Sequence, residues 1–381
     1  MDRRLRLGMV GGGLGAYIGG VHRLAARLDD CYEFVAGALS SDPQRAAESG
    51  RELRLDPTRS YSDYREMARL EARREDGIDV VAIVTPNHLH APIATAFLEA
   101  GIHVICDKPL TVSLEEALAL QCLSRSSGKL LAVTYTYSGY PMVRHAKDLV
   151  ASGELGEIRF IHVEYVQDWL AEPVEQLGNK QAEWRTDPKR SGPGGCLGDI
   201  GTHAYHLAAF VTGILPSELS ADVVAMVPGR KLDDHVQVML RYPSGARGIL
   251  LASQIATGEG NALRLRVYGT KASVSFDQEH PDFLWYTPLN GNTIRLTKGR
   301  AHSPSGDHAT RFPAGHPEGY FEAFAQLYRD AALQIGAMLE GRSVPESSKL
   351  LTTVDDGIEG MKFILAALRS SENGSVRVLL D

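Results

Sequence analysis

The chain of 381 residues is poor in cysteine, in charge of one sign and in long apolar runs. Its four cysteines, Cys31, Cys106, Cys122 and Cys196, form no C-x-x-C pair, so neither a zinc ribbon nor a disulfide framework is expected. Reduced, mostly buried thiols and no bound metal are the plain expectation. No stretch of about 20 consecutive apolar residues occurs, which predicts no membrane span. Lys plus Arg number 40 against 47 Asp plus Glu, a formal charge of −7. That balance argues against nucleic acid as a partner, because phosphate backbones are held by clustered positive charge. At 44% hydrophobic and 23% charged residues, collagen-like and disordered classes are excluded as well. Asp2-Arg3-Arg4 before an apolar, Gly-rich run imitates a twin-arginine leader. The run 5–10 is short and lacks a small-residue cleavage site, so a cytoplasmic chain is expected.

What the chain has in quantity is glycine, 38 residues. The first cluster follows a short apolar strand at 5–10 and precedes a helical spacing of Ile18, Val21, Leu24, Ala25 and Leu28. Further strands are predicted at 34–39, 79–85, 103–106 and 130–133. A helix is expected over 92–100, and the capping box Ser113-Leu114-Glu115-Glu116 opens another. Alternating strand and helix imply a parallel sheet with right-handed crossovers. Near Tyr135 to Tyr140 the rhythm stops. Residues 157–167 alternate, 236–251 read as two strands about Pro243-Ser244-Gly245, and 263–276 and 283–298 supply more, with a turn at Asn290-Gly291-Asn292. Helical spacing returns at 318–339 and 355–368. The expected architecture is a doubly wound α/β Rossmann domain, 1–138, followed by an α+β domain, 139–381, with a large, mainly antiparallel open sheet. The C-terminal helix is a candidate to pack back on the first domain.

Gly11-x-Gly13-x-x-Ala16 fits G-x-G-x-x-G/A between strand and helix. There the first glycine permits a tight turn, the second admits a pyrophosphate and the small third residue lets helix and strand approach. Leu14 and Gly15 complete the loop, whose free N–H groups face an anion. A dinucleotide cofactor is therefore expected. Ser40 stands where an acid commonly holds the ribose hydroxyls, and Asp42 comes slightly late. Arg45 would suit the 2′-phosphate of NADP or cover a helix face; with no adjacent basic pair, NAD is favoured.

Two further strands end in polar loops, Thr85-Pro86-Asn87-His88-Leu89-His90 and Cys106-Asp107-Lys108-Pro109. Ligands of open α/β sheets bind at such carboxyl ends, so Thr85, Asn87, His90 and Asp107 are cofactor candidates. Pro109 restricts Lys108 to an extended backbone that aims it into the crevice. A lysine there can bind a substrate hydroxyl, and a cationic nicotinamide nearby would lower its pKa. In Gly194-Gly195-Cys196-Leu197-Gly198-Asp199-Ile200-Gly201-Thr202-His203, a helix would set Asp199 and His203 on one face, a pair suited to moving a proton. His206 lies near, but without an H-E-x-x-H arrangement zinc is not expected.

Together these motifs resemble the Gfo/Idh/MocA oxidoreductase family, named for glucose–fructose oxidoreductase and inositol dehydrogenase. The resemblance covers essentially the whole chain. It implies that Lys108, in the place of the family's Glu-Lys-Pro lysine, touches substrate and nicotinamide, and that Asp199 and His203 match the family's Asp and His. Asp107 replaces the usual Glu, and Ser40 departs from the common acidic ribose ligand. The run Gly11 to Gly19 with Val21-His22-Arg23 is similar to a bacterial subgroup that acts on inositols or oxidises glycosides at C3.

The expected activity is reversible oxidation of a secondary alcohol of a cyclic polyol, sugar or glycoside. His203 or Lys108 takes the hydroxyl proton and Asp199 orients the pair. Alternatives are an NAD-dependent glycosidase using transient C3 oxidation, and a non-enzymatic dinucleotide and sugar sensor. Substrate contacts are expected from Tyr135, Tyr137, Arg144, Trp169, Trp184, Arg185 and His316. His302, His308 and His316 surround a long loop, either a lid or a surface excursion, and His316 is expected to point inward. The open sheet of the second half predicts a homo-oligomer, a dimer or tetramer.

Overall fold

The computed structural model describes residues 3–380. Two compact units emerge: Met1–Thr136 with Phe324–Ile358, and Tyr137–Ala323 with Glu359–Asp381.

The first unit begins with β1 (Leu5–Gly11), α1 (Tyr17–Leu28), β2 (Tyr32–Ala38), α2 (Pro43–Glu52) and α3 (Tyr64–Glu71). It continues with β3 (Val80–Val84), α4 (His90–Glu99), β4 (His103–Cys106), α5 (Leu114–Ser127) and β5 (Leu131–Val133). The strands form one parallel sheet, ordered β2-β1-β3-β4-β5. All five residues of β3 are buried, as the unbroken apolar run requires of a strand covered on both faces. Ser113 Oγ accepts the Glu116 N–H at 3.2 Å, so the expected cap is formed. The helices α2 and α3 were not among the expected elements. Both are polar and bury just three residues each: Ala46, Ser49 and Gly50, and Met67, Ala68 and Glu71. Aspartate caps, Asp42 and Asp63, start them. The buried pair Arg59–Glu71 ties this region down, with Tyr61 Oη and the Ile78 N–H also donating to Glu71.

The second unit runs α6 (Pro141–Ala151), β6 (Ile158–Val166), α7 (Lys180–Arg185), α8 (Pro188–Ser191), a five-residue π turn (Leu197–Gly201) and α9 (Thr202–Thr212). Then come β7 (Glu218–Val224), β8 (His235–Arg241), β9 (Arg247–Ser253), β10 (Ala262–Gly269), β11 (Ala272–Asp277), β12 (Phe283–Pro288), β13 (Ile294–Thr297) and α10 (Pro304–Ala309). The long helix α11 (Tyr320–Leu339), most of which belongs to the first unit, the helix α12 (Val354–Glu372), most of which belongs to the second, and the short strand β14 (Val378–Leu379) close the chain. Nine strands form one sheet, ordered β13-β12-β11-β10-β6-β9-β8-β7-β14, antiparallel except for β6 beside β9. Alternation puts Ile161, Val163, Val238, Leu250 and Leu265 on a buried face, where α9 packs. The other face leaves Met239, Ile249, Tyr268 and Trp285 exposed.

The segment holding His302, His308 and His316 differs from the expected long loop. Ser303 accepts the Gly306 N–H and starts the helix α10. His316 is exposed rather than directed inward. It lies in a turn where its N–H reaches the Pro313 carbonyl and Gly315 adopts φ +90°. The inward residue is Glu318, which meets Lys298 in a fully buried ion pair at 2.7 Å.

Candidate active site

In the first unit, register aligns the chemistry. Gly11 is level with Val84, and Ile83 with Cys106. The glycine loop, Thr85 and Asp107-Lys108 therefore leave the same edge of the parallel sheet, at the switch between β1 and β3.

Gly11, Gly12 and Gly15 adopt φ of +81°, +70° and +78°, a region that side chains disfavour. A Cβ on Gly13 would stand 2.6 Å from the Leu39 carbonyl oxygen. The close helix approach expected of Ala16 falls instead to Gly19, whose Cβ would lie 2.4 Å from Gly12 Cα. Ala16 is the N-cap of α1 and offers no side-chain acceptor, so the helix start keeps donors for an anion. Leu14 N–H donates to Ser49 Oγ, and Arg23 Nη1 donates to the Gly12 carbonyl at 2.7 Å. A cleft of about 290 Å³ is lined by Gly13, Leu14, Gly15, Tyr17, Arg23 and Ser49, among others. Thr85 Oγ1 is buried with no hydrogen-bond partner among the described residues. An orphan hydroxyl beside a loop that Cβ atoms would fill suits a bound dinucleotide.

Ser40 Oγ accepts the Asp42 N–H, and the Asp42 carboxylate accepts the Arg45 N–H at 2.8 Å. The late acid after β2 thus caps α2. Arg45 is exposed and reaches the Leu14 carbonyl at 3.4 Å. Asn87 is buried in the turn after β3. His90 is fully buried, with Nδ1 2.9 Å from the Pro109 carbonyl and Nε2 2.9 Å from the Thr85 carbonyl. Its ring joins the two strand-end loops through their backbones. Burial lowers its pKa against the opposing pull of Asp107 and the two carbonyls. Asp107 Oδ1 accepts from the Lys108 N–H and from Thr134 Oγ1, and Lys108-Pro109 is a cis peptide. Tyr135 is buried, and burial pushes its phenol pKa up.

In the second unit, Asp199 falls on the π turn, closed by the Thr202 N–H on the Leu197 carbonyl. The turn that carries Asp199 is thus π rather than α, and His203 lies in the first turn of α9 that follows it. Asp199 Oδ2 accepts Gln254 Nε2 at 2.9 Å and lies 3.4 Å from Arg185 Nε. The Arg185 guanidinium sits 4.2 Å over the Trp184 ring and 6.0 Å from that of Trp169. His203 meets the edges of Tyr137 and Tyr165, with ring centroids 4.8 and 6.2 Å away.

Beside His203 runs a polar network. Tyr137 and Tyr165 share a short hydroxyl bond, and Tyr165 Oη donates to Asn261 Oδ1 at 2.7 Å. Asn261 also receives Gln167 Nε2 and donates to Gln278 Oε1. Gln167 Oε1 accepts Trp169 Nε1. Burial holds the Tyr165 hydroxyl well above its ordinary pKa, so it remains a donor. Arg144 is fully buried, donating through Nε to the Ser138 carbonyl. Asp233 underlies the Gly-rich stretch: its carboxylate oxygens accept the Gly195 and Leu197 N–H groups, each at 2.6 Å. Burial raises its pKa to about 6.

The structure thus sets Trp169, Trp184 and Arg185 beside Asp199, and Tyr137 against His203. The sequence reading missed Gln254, Asn261, Gln167, Tyr165 and Asp233, polar residues brought in from separate strands and loops. Gly19 was visible as a helical glycine two residues after Tyr17. Among the described residues no group of three or more His, Cys, Asp and Glu side chains could hold a metal, and no helix is long and apolar enough to cross a membrane.

Residues 5–135 match the oxidoreductase family with an NAD-binding Rossmann fold, and residues 143–275 match the GFO/IDH/MocA C-terminal domain. An oxidoreductase structure from Sinorhizobium meliloti is 46% identical, covering 99% of this chain and 100% of its own, with a TM-score of 0.89. An inositol dehydrogenase homolog from Azotobacter vinelandii, complexed with NADH and myo-inositol, is 35% identical, covering 100% and 98%, with a TM-score of 0.91. Levoglucosan dehydrogenase from Pseudarthrobacter phenanthrenivorans is 32% identical over 74% of this chain and 76% of its own. With both halves matched in order and relatives spanning its length, the chain belongs to the GFO/IDH/MocA family of oxidoreductases.

Proposed function

We propose that this chain is an NAD-dependent dehydrogenase that reversibly oxidises one secondary hydroxyl of a cyclic polyol, sugar or glycoside to the ketone. The observation that carries the reading is the shared sheet edge of the glycine loop, Thr85 and Asp107-Lys108. The inositol and levoglucosan relatives support a cyclic polyol or sugar as substrate. NAD, when bound, accepts the hydride of the reacting carbon. Lys108 binds the reacting hydroxyl; Lys108 or His203 takes its proton; Asp199 supplies the fixed negative charge. The NAD-binding family match and the NADH-bound inositol dehydrogenase homolog support NAD over NADP. For glycosides we place the oxidation at C3.

The test is a panel of inositols, free sugars and glycosides, each with NAD and NADP, followed by nicotinamide absorbance. NADH formed in step with substrate consumed is expected. Product without net NADH would replace the reading with a glycosidase, and binding without turnover would replace it with a sensor. One positioned acid–base group contributes about 10²–10⁴-fold, so Lys108→Ala lowers turnover by about that factor.

We also propose that a second copy of the chain covers the open face carrying Met239, Ile249, Tyr268 and Trp285. Adjacent rows of the sheet bring Met239 beside Ile249, a continuous apolar surface. Light scattering of Met239→Glu with Ile249→Lys should show a smaller particle than the parent; a monomeric parent overturns the assignment.

A further inference from the structure

Resting on the dehydrogenase reading, we propose that Gln254 is a positioning residue for Asp199, its amide orienting the carboxylate while Arg185 supplies the counter-charge. Gln254 is just 2% exposed and immediately follows β9. Its backbone is held on both sides. The N–H donates to the Asp234 carbonyl at 2.9 Å, and its carbonyl accepts the Leu170 N–H at 3.0 Å. A side chain leaving so constrained a backbone delivers Nε2 to one place, Asp199 Oδ2, at 2.9 Å.

Arg185 approaches the same oxygen from another element, with Nε at 3.4 Å. It too is held, by Nη1 on Gln181 Oε1 at 2.8 Å and by the Trp184 ring beneath it. The two partners differ in kind. A guanidinium favours the carboxylate form by charge, whereas a neutral amide adds direction without adding charge. The carrier of Asp199 explains the need for both. A π turn with Gly198 and Gly201 around the aspartate is less restrained than an α-helix. Asp233 fixes the entry to that turn, and Gln254 fixes the carboxylate itself.

Other titratable groups lie around Asp199. His203 lies four residues on. The Cys196 thiol and the Tyr165 phenol both sense the Asp199 charge, and burial pushes both well above their ordinary values, so both remain neutral. Asp233 lies near Cys196. Arg185 is the cation facing Asp199 from α7.

Three variants of the full chain test the assignment. Gln254→Met keeps the bulk and removes the donor. A hydrogen bond to a charged group contributes about 1.5–3 kcal/mol, so kcat should fall about 10- to 150-fold with little change in KM. Gln254→Glu keeps the shape and sets a second carboxylate against Asp199. Two carboxylates so close share one proton, so this variant should melt progressively lower than the parent as pH rises above the carboxylate range. Adding Asp199→Asn to Gln254→Glu reverses donor and acceptor. The double variant should regain the lost thermal stability and stay inactive, because the carboxylate now stands on the wrong residue. NADH affinity should be unaltered throughout.

The thermal measurement needs no substrate. If Asp199→Asn fails to relieve the pH-dependent destabilisation of Gln254→Glu, the contact does not operate and the assignment falls. If the double variant regains turnover along with stability, or if Gln254→Met keeps the parental kcat, the role is structural and the assignment also falls. If the parent turns over nothing in the panel while the stability cycle holds, the dehydrogenase reading fails and the Gln254–Asp199 contact stands.

Discussion

Replacing Gly13 with alanine tests the cofactor half of the molecule most directly. The added Cβ would meet the Leu39 carbonyl oxygen at 2.6 Å and Ser49 Oγ at 2.7 Å. An unstrained carbon–oxygen contact needs about 3.3 Å, so roughly 0.7 Å must be recovered. Ser49 cannot simply turn away, because its hydroxyl accepts the Leu14 N–H at 3.1 Å. The Leu39 carbonyl belongs to backbone directly after β2. The loop itself must therefore move outward, away from the position in which its N–H groups face an anion. Overpacking of this kind costs about 1–3 kcal/mol. If the loop recovers its binding position only at that cost, NADH affinity falls by about 5- to 150-fold. Calorimetric titration with NADH measures the change, beside a thermal melt showing that the variant is folded. Gly20→Ala is the control. Its Cβ meets nothing within 4 Å, and alanine within a helix is favoured over glycine by about 1 kcal/mol. It should raise Tm and leave affinity unchanged. A folded Gly13→Ala that binds NADH within about twofold of the parent refutes the reasoning, because the strain energy would then not be coupled to the site.

Other perturbations have equally definite signs. Glu71→Met leaves Arg59 buried beside Asp76 alone, at 3.7 Å, and should lower stability by about 3–5 kcal/mol in urea unfolding. His22 and His103 are held neutral by burial, both pushed down to about 4. The unfolded chain takes up those protons near pH 6.5 and the folded chain does not, so stability falls as pH drops from about 6.5 towards 4. At pH 5 the loss is roughly 2 kcal/mol for each imidazole. Asp233, raised to about 6, opposes part of this between pH 6 and 4, because its folded form gains a proton before the unfolded one. Melting across that range should still fall, and a curve flat to pH 4.5 would contradict the assignments. His90→Leu removes a ring set between two backbone carbonyls; the neutral ring donates to one of them, and that carbonyl left without its donor costs about 1–3 kcal/mol. Unchanged melting would show that the ring does not join the two loops.

Features resting on neighbours in sequence are legible from the residues alone. The turn-forming glycines, the Ser113 cap, the unbroken apolar run of β3 and the alternation of β6 each depend on a few adjacent residues. Their meaning is local because backbone sterics and side-chain periodicity are local. The helices α2 and α3 escaped because they are polar overall, although their few apolar residues do recur at helical spacing. Asp199 and His203 were found by spacing, but the kind of turn that carries Asp199 was not. Glycines at 198 and 201 allow a π turn, and no pattern of three and four distinguishes it from an α-helix.

The partners of those residues were decided by tertiary structure alone. Gln254 lies 55 positions from Asp199, and Asn261 lies 96 from Tyr165. A glutamine or asparagine at a strand end carries no local signature of its partner, since a hydrogen bond is directional only once both backbones are placed. The same holds for Gly19, whose small size matters because Gly12 is folded against it. The sequence by itself determined the class of fold and the residue types able to hold a dinucleotide and move a proton. Which carboxylate is oriented, by which amide and beside which arginine, followed from strands that meet only in the folded chain.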